Sequence, residues 1–159
     1  MNRLASYAFN PAIKTALQQI PQRFHRFLNC DLLCGYDPIY VGLFSFENTS
    51  DGRSYHNTAC CAYPYHQSCI SLALRATTIV MPKILHPLDV IHELGHVLQY
   101  NLDPDFELQM KPVTTYSETD NLEAFAEAFT RYIGEDYWVI ENIYKDLHPL
   151  DRAFFDGIN

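Results

Sequence analysis

Two histidines and a glutamate fall at His92-Glu93-Leu94-Gly95-His96, inside a stretch from Leu88 to Tyr100 that reads as a helix. Residues four apart on a helix share a face, so His92 and His96 can direct two imidazole nitrogens at one Zn²⁺. Glu93 sits one position on, about 100° around the helix from His92. From there it can reach a water at the metal without ligating the metal itself. The plain alternative is a surface helix that happens to carry two histidines and a glutamate. By composition that pattern arises on the order of once in a hundred such chains, so a third ligand carries the decision.

Catalytic zinc takes three protein ligands and leaves a fourth position for water. The downstream candidates lie on a second expected helix, Asn121 to Gly134, with Thr119 or Asp120 as N-cap and Gly134 as its stop. Its apolar stripe is Leu122, Phe125, Ala126, Phe129 and Ile133, and Glu123 and Glu127 stand i, i+4 on another face. Like charges so placed destabilise a helix by a few tenths of a kcal/mol unless something positive compensates them. A metal on Glu123, and a ligating histidine donating its other N–H to Glu127, would supply that. The alternative is a solvated face with Glu127 paired to Arg131. Glu123 is the better ligand because it comes first, beside the long connection Asn101–Thr119. That connection ends near Tyr116, seven residues before Glu123. Its hydroxyl is placed to donate to the oxyanion of a tetrahedral intermediate; a packing role is the ordinary alternative for one tyrosine among 11.

The run Tyr116-Ser117-Glu118-Thr119-Asp120-Asn121-Leu122-Glu123-Ala124-Phe125-Ala126-Glu127-Ala128-Phe129, placed after His-Glu-Leu-Gly-His, resembles the gluzincin-type zincin metallopeptidases. It is similar to the catalytic domain of anthrax lethal factor and to the secreted Pro-Pro endopeptidases of the same fold. The resemblance spans Leu88–Tyr132 and implies zinc on His92, His96 and Glu123. It also implies Glu93 as general base and Tyr116 as oxyanion donor. A zinc endopeptidase acting on peptide or protein substrates follows as the expectation. The other classes kept open are a zinc-containing binding module that cleaves nothing and a small-molecule metallo-amidase or deaminase.

The helix that carries the motif must be positioned. His86-Pro87 offers its start, because Pro is tolerated in the first turn, and Asp89 favours the positive end. Leu88, Ile91, Gly95 and Leu98 form a stripe for burial beside the histidines. Gly95 costs roughly 1 kcal/mol against Ala in mid-helix, which points to close approach by a neighbouring backbone or ligand. Pro11–Asn29 reads as an amphipathic helix that Pro21 kinks or splits. Tyr36–Phe46, Ile70–Leu74 and Thr77–Met81 read as strands, the last leading into the motif helix and presenting a free edge to an extended peptide. Asn48–Arg53 reads as a turn and Tyr55–His66 as a cleft wall or surface loop. Two helices, Glu135–Lys145 and Leu150–Phe155, follow, broken near His148-Pro149, with Trp138, Ile140, Ile143 and Tyr144 in the core. The expected architecture is one α+β zincin-like domain over 1–159, a small mixed sheet packed on the active-site helix with further helices after it.

At 159 residues and 48% apolar content the chain can bury one core. A net charge of −8 argues against nucleic acid as partner, since phosphate binding needs a basic face. No apolar run of 18 residues spans a membrane, and Met1-Asn2-Arg3-Leu4-Ala5 lacks a secretory h-region. The expectation is a cytoplasmic chain as synthesised, with delivery to another cell open by a signal-less route. Five cysteines, with Cys60 and Cys61 adjacent, argue against a disulfide framework and for a reducing compartment, Cys30 and Cys34 being ordinary buried thiols. A second zinc on Cys60, Cys61, His66 and Cys69 is a minor alternative, since no C-x-x-C knuckle is present.

Overall fold

A computed structural model describes residues 11–28, 30–34, 60–62, 78–81, 86–135 and 143–159, with the backbone alone for 31–34, 60–62 and 78–81. The elements are α1 (Pro11–Gln19), a 3₁₀ turn (Gln22–Phe27), β1 (Asp31–Cys34), β2 (Cys60–Ala62) and β3 (Thr78–Met81). They continue with α2 (Pro87–Leu102), a 3₁₀ turn (Tyr116–Glu118), α3 (Asn121–Ile133) and α4 (Pro149–Asp156).

The expected α+β fold is corrected. Where side chains are placed the protein is 65% helix with no strand, and the core that holds the candidate site is helix against helix. Strand pairing is confined to three short backbone segments in the order β1-β3-β2, with β1 parallel and β2 antiparallel to β3. Thr77–Met81 reads as a strand and forms β3, but segments of only three or four residues leave the burial of α2 chiefly to the other helices. The free edge expected on Thr77–Met81 is also corrected: β3 is the middle strand, and both of its edges are occupied. The expected strands Tyr36–Phe46 and Ile70–Leu74, the turn Asn48–Arg53, most of Tyr55–His66, and Trp138 and Ile140 lie outside the described residues.

The centre of the core is α2. Val90, Ile91, Leu94, Val97 and Leu98 are each fully buried, and each such side chain contributes roughly 1.5–3 kcal/mol relative to exposure. Packing therefore outweighs the propensity cost of Gly95 many times over. A cap starts the helix: the Leu88 amide donates to His86 Nδ1 at 3.2 Å, and the His86 amide donates to Asp89 Oδ2 at 2.8 Å. The first expected helix is split, α1 ending at Gln19 and the 3₁₀ turn resuming after Pro21. Proline lacks the N–H that a continuous helix needs and disfavours helical backbone in the residue before it. The 3₁₀ turn drives Phe24 into an aromatic cluster with Phe125, Phe129 and Phe155, the Phe24 and Phe129 rings crossing edge-on at 5.3 Å. Ile143, expected in the core, is exposed, whereas Tyr144 packs partly against it.

The long connection after α2 is tied down by side chains. Asp103 Oδ2 accepts from the Leu108 amide at 2.6 Å, and buried Asp151 of α4 accepts from the Lys111 amide at 2.9 Å. The Lys145 amide donates to the Val113 carbonyl at 2.7 Å. Met110 and Val113 point into the core. These bonds fix where the chain re-enters α3.

Candidate metal centre

Capping and close approach together place α3 across α2. The Asp120 side chain accepts from the Glu123 amide at 2.9 Å, fixing the first turn so that Glu123 follows directly on the cap. Further along, Gly95 of α2 meets the backbone of Ala126: a Cβ at Gly95 would stand 2.9 Å from the Ala126 Cα and 3.2 Å from its carbonyl oxygen. The neighbouring backbone that a mid-helix glycine suggested is therefore that of the helix carrying Glu123 and Glu127.

This contact brings the ligand candidates together. Glu123 Oε2 lies 3.1 Å from His92 Nε2 and 3.6 Å from His96 Nε2, and the two imidazole rings stand almost perpendicular with centroids 4.9 Å apart. One ligand atom from each of the three residues lies within 4.8 Å of the others, and the group can hold a metal ion. Ligands about 2.0–2.2 Å from a tetrahedral metal are separated by roughly 3.3 Å, close to both observed N···O distances. Glu123 Oε2 is buried and faces both imidazoles.

Electrostatics point the same way. Burial would lower the His92 pKa, but hydrogen bonds to Glu123 and Glu127 outweigh it and push it up to about 10. Burial would raise Glu123, yet hydrogen bonds from His92 and His96 hold its carboxyl well below the usual carboxylate range. Both shifts have one cause: the cluster favours positive charge beside the Glu123 carboxylate. The other His92 nitrogen, Nδ1, donates to Glu127 Oε1 at 2.7 Å. This is the arrangement that orients an imidazole and raises its basicity toward a metal. Arg131, the other partner considered for Glu127, instead pairs with Glu135 and Asp146.

Glu93 is buried on the inner side of α2, and its Oε2 has no hydrogen-bond partner among the described residues. Burial raises its pKa, the two histidines opposing. Tyr116 lies on the 3₁₀ turn just before α3, 40% exposed, its ring 6.1 Å from that of His92. It borders the cluster from the open side.

Three residues without a chemical signature in the sequence complete the surroundings. Thr114 Oγ1 donates to Glu127 Oε2 at 2.9 Å. Ser117 Oγ accepts from the amides of Val113 and Thr114 and donates to the Thr114 carbonyl at 2.7 Å. Tyr144 sits against Glu127, and burial followed by that carboxylate pushes its phenol above the ordinary range. A Thr-x-x-Ser pair is an ordinary turn signature, and nothing local marks Tyr144.

Of the alternative cysteine site, Cys60 and Cys61 fall on β2 and His66 and Cys69 lie outside the described residues. Cys30 is buried, as expected. Among the described residues no helix is long and apolar enough to cross a membrane. No family model, no curated protein and no solved structure matches this chain.

Proposed function

We propose that the chain is a zinc-dependent endopeptidase, with His92, His96 and Glu123 holding the metal, Glu93 moving protons and Tyr116 donating to the oxyanion. The observation that carries this reading is the convergence of two imidazole nitrogens and one carboxylate oxygen at metal-ligand separations, beside the buried Glu93 carboxyl, whose Oε2 finds no hydrogen-bond partner among the described residues. Two imidazoles and one carboxylate are a donor set of catalytic zinc, which leaves a position for water.

Zinc held there would supply Lewis acidity toward a water and a peptide carbonyl. The protein's own groups do the rest. The raised pKa of Glu93 suits a group that takes a proton from the attacking water and returns it to the leaving amine. Glu127 keeps His92 in the tautomer whose Nε2 faces Glu123. Tyr116, exposed at the margin of the cluster, would present its hydroxyl to a substrate carbonyl.

Glu93→Gln preserves size and polarity but removes the base. It should keep stoichiometric zinc and wild-type melting while losing nearly all cleavage of a peptide library. Tyr116→Phe should lower kcat by roughly a hundred- to thousand-fold, as loss of an oxyanion donor does, with KM little changed. A Tyr116→Phe variant that raises KM alone would make Tyr116 a substrate contact. Wild-type protein that binds zinc and peptide yet cleaves nothing across a broad library would be a binding module.

A further inference from the structure

Glu127 does more than orient His92. Its two oxygens are divided between separate parts of the fold: Oε1 accepts from His92 Nδ1 of α2, and Oε2 accepts from the Thr114 hydroxyl on the long connection. The same Thr114 oxygen accepts from the Ser117 amide at 3.0 Å. Ser117 follows Tyr116 directly, so a continuous series of hydrogen bonds, the first two buried and the last partly so, runs from the Tyr116 turn to the candidate metal site. The Ser117 N–H donates to Thr114 Oγ1, the Thr114 hydroxyl donates to Glu127 Oε2, and Glu127 Oε1 accepts from His92 Nδ1. Thr114, Ser117 and Glu127 are all buried, where each bond is strengthened and an unmade bond is costly.

We propose that Thr114 is a positioning residue whose single hydroxyl ties the turn bearing Tyr116 to the carboxylate that orients His92. This rests on the metal-site reading above. Ser117 holds the turn locally, through its bonds to Val113 and Thr114, whereas Thr114 alone connects the turn to Glu127 among those bonds. Placement of the tyrosine and basicity of the histidine are then set by one group. Tyr144, also against Glu127, keeps that carboxylate engaged when Thr114 is changed, so the variant reads out the connection and not the loss of Glu127.

The test compares Thr114→Val, Thr114→Ser and Ser117→Ala in the full chain. Zinc affinity is measured by competition with a chromophoric chelator, and kcat and KM on one peptide cleaved by wild type. Thr114→Val, which keeps the shape and removes the hydroxyl, should weaken zinc roughly tenfold, the lower end for losing an outer partner of a ligand. It should also lower kcat with KM unchanged. Thr114→Ser should restore both. Ser117→Ala should lower kcat and leave zinc affinity within twofold of wild type. Independently of any variant, adding zinc to wild-type protein should slow hydrogen exchange of the Ser117 amide.

Unchanged zinc affinity in Thr114→Val, or Ser117 exchange that ignores zinc, would overturn the connection. If Thr114→Val does not fold, the wild-type exchange measurement and the Thr114→Ser affinity decide it. A protein that binds zinc but cleaves nothing removes the peptidase reading only, because zinc affinity and exchange still report on Thr114. A protein that takes no zinc removes both.

Discussion

Gly95→Ala separates two opposed effects of known size. In an isolated helix the change would stabilise by roughly 1 kcal/mol. Here the new methyl would stand 2.9 Å from the Ala126 Cα, against 3.4–4 Å for ordinary contact. The helices must therefore part by about 0.5 Å or more, and the obstacle is backbone, which cannot swing aside as a side-chain end can. Inserting a methylene-sized group into a packed core costs about 1–3 kcal/mol, so the net is a loss of up to about 2 kcal/mol. For a chain of this length the full 2 kcal/mol would lower Tm by roughly 4–8 °C.

The consequence for the site exceeds that for stability. Gly95 adjoins His96, and Ala126 lies one turn beyond Glu123 on α3, so the displacement widens the gap that Glu123 spans to the two histidines, now 3.1 and 3.6 Å. Functional sites tolerate only about 0.5 Å of misplacement, and zinc affinity should fall at least tenfold. Melting in chelator and competitive zinc titration of Gly95→Ala measure the two effects. Gly157→Ala is the control, because the Cβ there meets only carbonyl oxygens of its own helix, at 3.3 and 3.5 Å; its zinc affinity should match wild type. A Gly95→Ala protein that melts at or above wild type and binds zinc equally well would refute the close-approach argument.

Glu123→Ala should abolish stoichiometric zinc, whereas Glu127→Ala should weaken it roughly 10–100-fold; metal analysis showing the reverse would exchange their roles. In the metal-free protein His92 has a pKa raised from 6.5 to about 10, so the stability carried by its proton is full below about pH 6.5 and is lost as pH rises toward 10. Tm in chelator should fall across that window while zinc affinity rises, since metal and proton compete for one nitrogen; a Tm flat from pH 6.5 to 9.5 would contradict the assignment. Gln99 is fully buried, and among the described residues neither atom of its side-chain amide finds a hydrogen-bond partner. An unsatisfied buried polar group costs about 1–3 kcal/mol, so Gln99→Met should raise Tm, and a lower Tm would count against that accounting.

What the sequence determined by itself is local and periodic. His92 and His96 share a face because four residues make slightly more than one turn, and His86, Asp89, Asp120 and Gly134 mark helix ends through bonds that reach only two to four residues. Pro21 marks the break in the first helix for the same reason, since its missing N–H acts in place. The glycine at 95 announced a close neighbour but could not say which. Tertiary structure decided that this neighbour is Ala126, that Glu123 Oε2 comes within 3.1 Å of His92, and that Glu127 turns to His92 and Thr114 and not to Arg131. It also decided that the packed body is helical and that β3 is enclosed on both edges. Those outcomes depend on which surfaces meet across many residues of chain. An apolar run such as Thr77–Met81 carries its hydrophobicity in the sequence, but the pairing of its edges is set by the segments that arrive beside it.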